Sequence, residues 1–308
     1  MKPIHSVRDL ASRLGYSAER LRQLVSELDK TKYSHYRFWS EINEKTGKIR
    51  HFRIPDAELM CLQRRIKTNI LDKLELSNAV HGGVRGRSPR SNALPHLNQP
   101  CVINLDVKEF FPRVRHYVIR DVFRRELGFG REVTHILTRL MTLDAQLPQG
   151  SPSSTAIANI LLTEAVDAPL SAKARMIGAR NTRFVDDLTL SGVNPRSLIN
   201  PTARALSQKR LPIWRHGNKA KPKFKIVPNS ERQEVTGLVV NGRNGPSVSR
   251  PKRDGIRAAI LQAAALSNGP ERVSALNSIN GRLVYLRRFN PGSADRLDKY
   301  LRRMCEHG

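Results

Sequence analysis

The sequence predicts an α+β fold in which a small sheet is surrounded by helices. Apolar residues recur at helical spacing near both ends of the chain, as in Leu21, Leu24 and Leu28. Residues 33–55 contain two apolar runs on either side of a Gly-containing turn, a pattern typical of a β-hairpin. Short apolar runs in the middle of the chain end in carboxylates and indicate buried strands.

Hydrophobic periodicity assigns the elements in order. Helices are predicted over residues 6–30, with a break at Gly15–Tyr16, and over 59–74. The hairpin lies between them. A loop rich in Gly, Arg and Ser follows at 82–96, and Cys101–Leu105 is predicted to be a buried strand.

The second half of the chain continues this alternation. Helices are predicted over 116–143, interrupted near Gly128–Gly130, and over 152–166. Residues 181–192 indicate two short strands that meet at a tight acidic turn, and 235–241 indicates one strand that contains a glycine. A linker is predicted at 241–251, followed by amphipathic helices that form a small basic module.

The composition points to a polyanionic partner. The 308 residues include 54 Lys and Arg against 27 Asp and Glu, which leaves a net charge of +27. The cysteines, at 61, 101 and 305, are too far apart for a zinc module and do not indicate a disulfide framework. No apolar stretch approaches the ~20 residues that span a bilayer, and the N-terminus has no signal-peptide core. We therefore expect a cytoplasmic protein with no membrane partner.

Three aspartates stand out in so basic a chain. Asp106 ends an apolar strand, and Asp186 and Asp187 occupy the predicted turn. Phosphoryl transfer to the end of a nucleic acid needs two divalent ions about 3.5–4 Å apart, held by carboxylates from different strands. Mg²⁺ suits such a site. Alternatively, Asp106 caps a helix and the Asp-Asp pair forms an ordinary turn.

The segments around these aspartates resemble reverse transcriptases. Residues 102-VINLDVKEFFPRV-114 resemble motif A, 147-LPQGSPSSTAIANI-160 motif B, and 184-FVDD-187 motif C, in which Phe184 replaces the usual tyrosine. The segments that resemble the bacterial retron branch are 81-HGGVRGRS-88, 92-NALPH-96, 235-VTGLVVN-241 and 281-GRLVYLRRFNP-291.

This resemblance implies a right-hand polymerase. Residues 1–100 would form N-terminal helices and fingers. Residues 101–241 would form the palm, with an antiparallel sheet and with fingers helices inserted at about 116–160. Residues 242–308 would form a helical, basic thumb.

The resemblance also implies roles for individual residues. Asp106, Asp186 and Asp187, with the Val107 carbonyl, would hold two Mg²⁺ ions. Lys223 would be the lysine that stabilises or protonates pyrophosphate, although Lys219, Lys221 and Lys225 leave that assignment open. The expected nucleotide-binding residues are Arg50, Lys45, Phe111, Gln149 and Gly150, with Phe111 excluding a 2′-hydroxyl unless it is simply core.

A further set is expected to bind RNA: Asn92, His96, Val235, Thr236, Gly237, Arg282, Arg287 and Arg288. Asn92 and His96 have the alternative of a purely structural, loop-anchoring role.

The implied activity is RNA-directed DNA synthesis from dNTPs on a cognate structured noncoding RNA. The family primes from an RNA 2′-hydroxyl, which leaves a branched RNA–DNA hybrid, and commonly acts in anti-phage defence with a separate effector protein. The alternatives are another bacterial reverse transcriptase, of group II intron or abortive-infection type, and a catalytically idle RNA-binding scaffold.

Overall fold

The computed structural model describes residues 1–43, 48–214, 223–242 and 245–306. Within these ranges the α-helices are α1 Val7–Leu14, α2 Ala18–Thr31, α3 Ala57–Asn69, α4 Pro89–Ala93, α5 Phe110–Arg113, α6 His116–Asp121, α7 Arg131–Met141, α8 Ser154–Leu162, α9 Ala168–Met176, α10 Ile199–Gln208, α11 Arg250–Ala264, α12 Pro270–Arg287 and α13 Pro291–Glu306. Two π-helical segments, Val122–Glu126 and Thr163–Asp167, follow α6 and α8 directly.

The strands form one central sheet and two hairpins. They are β1 Tyr36–Asn43, β2 Lys48–Pro55, β3 Cys101–Asp106, β4 Arg180–Phe184, β5 Asp187–Gly192, β6 Lys225–Pro228, β7 Glu234–Val235 and β8 Leu238–Val239. The central sheet has the order β4-β5-β3-β6, and every neighbouring pair is antiparallel. The predicted α+β class is therefore confirmed at the level of mixed helices and antiparallel sheets.

Local sequence signals place the N-terminal elements as expected. The Ser6 side chain accepts a hydrogen bond from the Asp9 backbone N–H at the start of α1, and Gly15 ends the helix with φ +66°. This is the predicted break between the two helices. The predicted hairpin at 33–55 is also present, with Trp39 opposite Phe52.

Two hydrophobic clusters hold the chain together. The larger one runs from Ile4 to Leu211 and packs helices against one face of the central sheet. The smaller one joins the three C-terminal helices to β7 and β8, and it includes Ala93 and Val102. The predicted apolar stripe Ile256, Ile260 and Ala263 is buried in this second cluster.

Two predictions near residue 240 were wrong. Residues 235–241 do not form one strand, because Thr236 and Gly237 have φ values of +47° and +76° and turn the chain into the β7–β8 hairpin. The C-terminal half of the predicted linker is not free, since Ser247 pairs with Val239 and Val248 is buried.

In the described part of the chain, no helix is both long enough and apolar enough to cross a bilayer.

Candidate active site

Two of the predicted aspartates meet across neighbouring strands of the central sheet. Asp106, at the end of β3, is the Cα partner of Asp187 at the start of β5. The Val107 N–H donates a hydrogen bond of 3.3 Å to the Asp186 carbonyl. The antiparallel register thus brings residues 106, 107, 186 and 187 to one edge of the sheet.

The turn between β4 and β5 carries Asp186. Phe184 pairs with Asp187, so Val185 and Asp186 are the two residues of the turn. Val185 has φ +61°, which is strained for a β-branched residue and tends to occur where the surroundings enforce it.

A buried arginine supports this turn from beneath. The Arg183 guanidinium donates a hydrogen bond of 2.7 Å to the Val185 carbonyl and one of 2.9 Å to Asn159 Oδ1. It also donates to the Asp167 carboxylate at 2.7 Å, and both side chains of that ion pair are 1% exposed. The geometry of the acidic turn therefore depends on a desolvated charge pair.

The segment before α4 packs against the same turn. The backbone N–H of Arg183 donates a hydrogen bond of 2.7 Å to the Ala79 carbonyl, and the backbone N–H of His81 donates one of 2.8 Å to the Arg183 carbonyl. A Cβ atom at Gly82 would lie 2.4 Å from the Val185 nitrogen. Glycine is required at position 82 because the backbone of the turn approaches so closely.

The carboxylates perturb one another. Burial, the neighbouring charges of Asp186 and Asp106, and a hydrogen bond to Asp106 together raise the pKa of Asp187 to about 7. Lys223 forms an ion pair with Asp106 and opposes this rise. Of the lysines considered from the sequence, Lys223 contacts the acidic group, whereas Lys219 and Lys221 lie outside the described residues.

A cleft of about 630 Å³ opens in front of these residues. Arg50, Phe111 and Gln149 line it together with Asp106, Val107, Asp186 and Lys223. The Phe111 ring is half-buried and packs edge-on against Phe110, with 5.4 Å between the ring centroids. Most residues expected to bind metal or nucleotide thus line one cleft.

Gly150 lies beside the second strand of the β1–β2 hairpin. Its φ is +111°, and a Cβ atom there would lie 3.3 Å from the Arg53 carbonyl oxygen. Lys45, the weaker of the two expected fingers cations, lies outside the described residues.

The sequence reasoning gave no role to Arg53 and Trp214, which also line the cleft. The Arg53 backbone N–H donates a 2.7 Å hydrogen bond to the Gln149 carbonyl. The buried Nε atom of its side chain has no hydrogen-bond partner among the described residues. Trp214 also lines the cleft, and its backbone N–H donates a hydrogen bond of 2.9 Å to the Asp106 carbonyl. The basic spacing Arg50–Arg53 in β2 was the available signal for Arg53, whereas Trp214 lies far from any recognised motif.

The expected RNA-binding set divides by burial. Asn92, His96 and Val235 are buried, at 1%, 0% and 0% exposure, so their side chains are not available to contact RNA. His96 lies between the hydroxyls of Ser191 and Thr182, at 2.6 and 2.8 Å. Burial lowers its pKa to about 3, so the ring is neutral. We correct the role of these three residues to a structural one.

The remaining members of that set are at least partly exposed. Thr236 and Gly237 form the half-buried β7–β8 turn, where the Thr236 hydroxyl accepts from the Asn92 amide at 3.2 Å. Arg282, Arg287 and Arg288 are exposed on α12 and the residue after it. Arg287 also contacts Asp295 and Asp298 at 3.4 and 3.5 Å.

The donor set suits a hard divalent cation. Oxygen ligands from a few carboxylates, completed by substrate phosphates and water, are what Mg²⁺ requires. Burial and the neighbouring charges of Asp186 and Asp106 raise the pKa of Asp187 to about 7, and a bound cation would relieve the repulsion between the carboxylates. Among the described residues, no group of three or more His, Cys, Asp or Glu side chains is placed to hold a metal ion. Ions at this edge would therefore take the rest of their ligands from substrate phosphates and water.

Comparison with known proteins identifies the family, although no protein-family model matches the chain. The chain is 32% identical to the retron Mx65 reverse transcriptase of Myxococcus xanthus, over 94% of its own length and 69% of that protein. It is 32% identical to the retron Mx162 reverse transcriptase of the same organism, and it spans 64% of that relative's length. It is 29% identical to the retron Ec86 reverse transcriptase of Escherichia coli, over 98% of this chain and 90% of that protein. The chain with this aspartate-lined cleft therefore belongs to the retron reverse transcriptases, which are RNA-directed DNA polymerases.

Proposed function

We propose that this chain synthesises DNA on part of a cognate structured noncoding RNA. The observation that carries the proposal is the pairing of Asp106 with Asp187 at the edge of a cleft that Arg50 also lines. Carboxylates on one side and guanidinium groups on the other suit a nucleoside triphosphate with its metal ions.

In this proposal the central sheet is the palm, the β1–β2 hairpin belongs to the fingers, and α11–α13 form the thumb. The β2 residue Arg53 contacts the Pro-Gln-Gly segment through its backbone, which supports placing the hairpin over the nucleotide pocket. The basic, exposed surface of the three C-terminal helices supports their contact with template–primer duplex.

The carboxylates of Asp106 and Asp186, with the Val107 carbonyl, would hold two Mg²⁺ ions, and Asp187 would be a less direct ligand. Bound there, the ions would activate the attacking 3′-hydroxyl and neutralise the leaving pyrophosphate. The chain's own cations do the rest of the binding. Arg50 and Arg53 would grip the triphosphate with planar, bidentate donors.

Two further side chains have roles beside the nucleotide. Phe111 would lie beneath the sugar and exclude a 2′-hydroxyl, and its position in the lining of the cleft supports that role. Burial lowers the pKa of Lys223, but the ion pair with Asp106 more than offsets it, so the ammonium stays protonated. Lys223 would then be able to donate a proton to pyrophosphate.

The reaction would begin at a 2′-hydroxyl of the RNA itself and leave a branched RNA–DNA hybrid, as the retron resemblance implies. The same resemblance supports a role in anti-phage defence with a separate effector protein. Sequencing the nucleic acid that co-purifies with the protein tests this. A unique DNA joined to a unique RNA is expected, and unlinked, heterogeneous DNA and RNA would contradict the branched product.

The experiment for the activity itself uses the metal-binding carboxylates. Asp106→Asn and Asp186→Asn should each abolish DNA extension in Mg²⁺, because each removes a charge from the metal site. Asp254→Asn, an exposed carboxylate on α11, is the matched control and should extend normally. If the wild-type chain binds RNA but never extends a primer, the chain is instead an idle RNA-binding scaffold.

A further inference from the structure

A second basic concavity lies between α6 and α7. It has a volume of about 570 Å³, and we call it the α6–α7 groove. Arg120 and Arg124 line it from α6 and the π-helical segment, and Arg131 and Arg139 line it from α7. Thr134 and Thr138 form its buried floor. None of these residues belongs to the aspartate-lined cleft.

The groove carries an excess of positive charge. Its lining includes four arginines and no Asp or Glu side chain. Arg120 contacts Asp121 at 3.3 Å, Arg139 contacts Asp29, and Arg124 donates to the Phe129 carbonyl at 2.9 Å. These contacts hold the arginines in place around the groove. Because Arg120 and Arg139 are already paired with carboxylates, the net positive charge of the groove comes from Arg124 and Arg131, and it favours an anionic ligand.

Two hydroxyl groups on the floor have no partner. Thr134 and Thr138 are 2% and 5% exposed, and neither Oγ1 atom forms a hydrogen bond with any described residue. The neighbouring Thr142 hydroxyl, by contrast, donates to the Thr138 carbonyl at 2.8 Å. Buried hydroxyls are nearly always satisfied, so two of them on one helix face beside arginines indicate a ligand with acceptor oxygens.

The spacing of the cations favours a strand over a single phosphate. Arg131 and Arg139 are eight residues apart on α7, which corresponds to about 12 Å along the helix axis at 1.5 Å per residue. One phosphate cannot reach two cations this far apart, whereas a strand presents a series of phosphates along its backbone. The groove, with a volume of about 570 Å³, has room for a segment of sugar–phosphate backbone.

The groove and the cleft are lined by consecutive residues of the chain. Ala145 lines the groove, while the next residue, Gln146, lines the cleft. The His116 N–H donates to the Ala145 carbonyl at 2.9 Å, and Arg115 pairs with Gln146, so this short segment is held against the start of α6. A strand that leaves the cleft past Gln146 would enter the groove.

We propose that the α6–α7 groove binds the sugar–phosphate backbone of the template RNA where it continues from the cleft. This inference rests on the proposed function, because it takes the cleft to hold a template–primer. The guanidinium groups neutralise the phosphates, and the Thr134 and Thr138 hydroxyls donate hydrogen bonds to phosphate oxygens. Recognition of this kind positions the RNA without reading its sequence.

Two double variants test the proposal. Thr134→Val with Thr138→Val keeps the side-chain shape and removes only hydroxyls that lack a partner, so the fold should be unaffected. Arg120→Gln with Arg131→Gln removes two positive charges from the groove. Arg64→Gln with Arg175→Gln is the matched control, since both residues are exposed and lie outside the groove and the cleft.

Binding is measured by fluorescence anisotropy with two RNA template–primers, one short enough to fill only the cleft and one with long template extensions. The threonine pair should bind the long RNA about tenfold more weakly than the wild type. The arginine pair should lower the slope of log affinity against log salt by about two. Both variants should bind and extend the short template–primer normally.

Each alternative outcome has a meaning. Wild-type affinity of both variants for the long RNA would overturn the proposal, and so would equal losses for the long and short RNAs. Inorganic triphosphate that binds the wild type at a second site, which both variants lose while affinity for the long RNA is unchanged, would make this a site for a small polyanion instead. Binding is read without DNA synthesis, so a failure of polymerase activity in the wild type is distinguishable from a failure of the groove.

Discussion

Arg183 and Asp167 form a buried ion pair directly beneath the turn that carries Asp186. Their side chains are each 1% exposed, and the same guanidinium holds the Val185 carbonyl. The pair thus connects a π-helical segment after α8 to the acidic turn. A network of this kind fixes the geometry of the turn without contacting substrate.

We predict that Arg183→Met destabilises the protein by about 3–5 kcal/mol, because it leaves Asp167 buried without its partner. Urea unfolding measures this. Arg183→Met combined with Asp167→Leu should recover much of the stability but not DNA extension, because the Val185 carbonyl remains unsupported. Full extension by the stable double variant would mean that the turn does not depend on the arginine.

Gly82→Ala should reduce DNA extension strongly, since the new Cβ atom would lie 2.4 Å from the Val185 nitrogen and would displace the turn. Gly255→Ala is the control, because no heavy atom lies within 4 Å of a Cβ there. That helical position should gain about 0.5–1 kcal/mol of stability. The rate of steady-state primer extension is measured for both variants. Normal activity of Gly82→Ala would show that the segment around residue 82 moves to make room for the new Cβ atom, while the turn at Val185 stays in place.

Phe111→Val should admit ribonucleotides, because the half-buried ring lines the cleft where a 2′-hydroxyl would collide with it. The measurement is the ratio of deoxyribonucleotide to ribonucleotide incorporation. Phe110→Val is the contrasting variant: Phe110 is 3% exposed, so its truncation should cost stability instead of changing the ratio. An unchanged ratio in Phe111→Val would assign that ring to the core.

Asp187 should make the metal-free protein less stable as the pH rises. Its pKa is raised from 3.8 to about 7 in the folded protein. Its contribution to the free energy of unfolding is therefore complete at pH values below its pKa in the unfolded chain, and it is lost as the pH rises through about 7. Asp187 is exposed, so solvent screens this effect. Between about pH 5 and about pH 8 the wild type should therefore lose more stability than Asp187→Asn.

The comparison with the variant cancels the contribution of the histidines, which has the opposite sign. Burial lowers the pKa of His81 to about 4 and that of His96 to about 3, so both destabilise the fold as the pH falls below 6.5. Mg²⁺ should reduce the difference between the wild type and Asp187→Asn at high pH. Parallel stability curves for the two proteins, with and without Mg²⁺, would contradict the coupling.

The sequence identified much of this site because its chemistry is local. Asp106 and the Asp186–Asp187 pair each end a short apolar strand, and antiparallel pairing of those strands brings them together. Arg183 could not be identified in this way. A charged residue in a strand normally faces solvent, and the residues that neutralise this one, Asp167 and Asn159, come from distant helices.

Tertiary structure explains where the sequence predictions failed. The run at 235–241 is as apolar as a strand, but the positive φ at Thr236 and Gly237 turns it back on itself. Asn92 and His96 belong to a polar motif and were expected at a surface. The Asn92 amide nitrogen and both ring nitrogens of His96 instead bond within the protein, with Thr236, Ser191 and Thr182 as partners, and only the tertiary structure supplies those partners.

The position of β3 in the sheet has a consequence for synthesis on the ribosome. β3 ends at Asp106, yet both strands that flank it, β5 and β6, come later in the chain. At translation rates of about 5–20 residues per second, the 86 residues from the end of β3 at Asp106 to the end of β5 at Gly192 take about 4–17 s to emerge. Throughout that time the apolar residues Val102, Ile103 and Leu105 have no paired neighbour, so slower or cooler expression prolongs the stage at which nascent chains are most prone to associate.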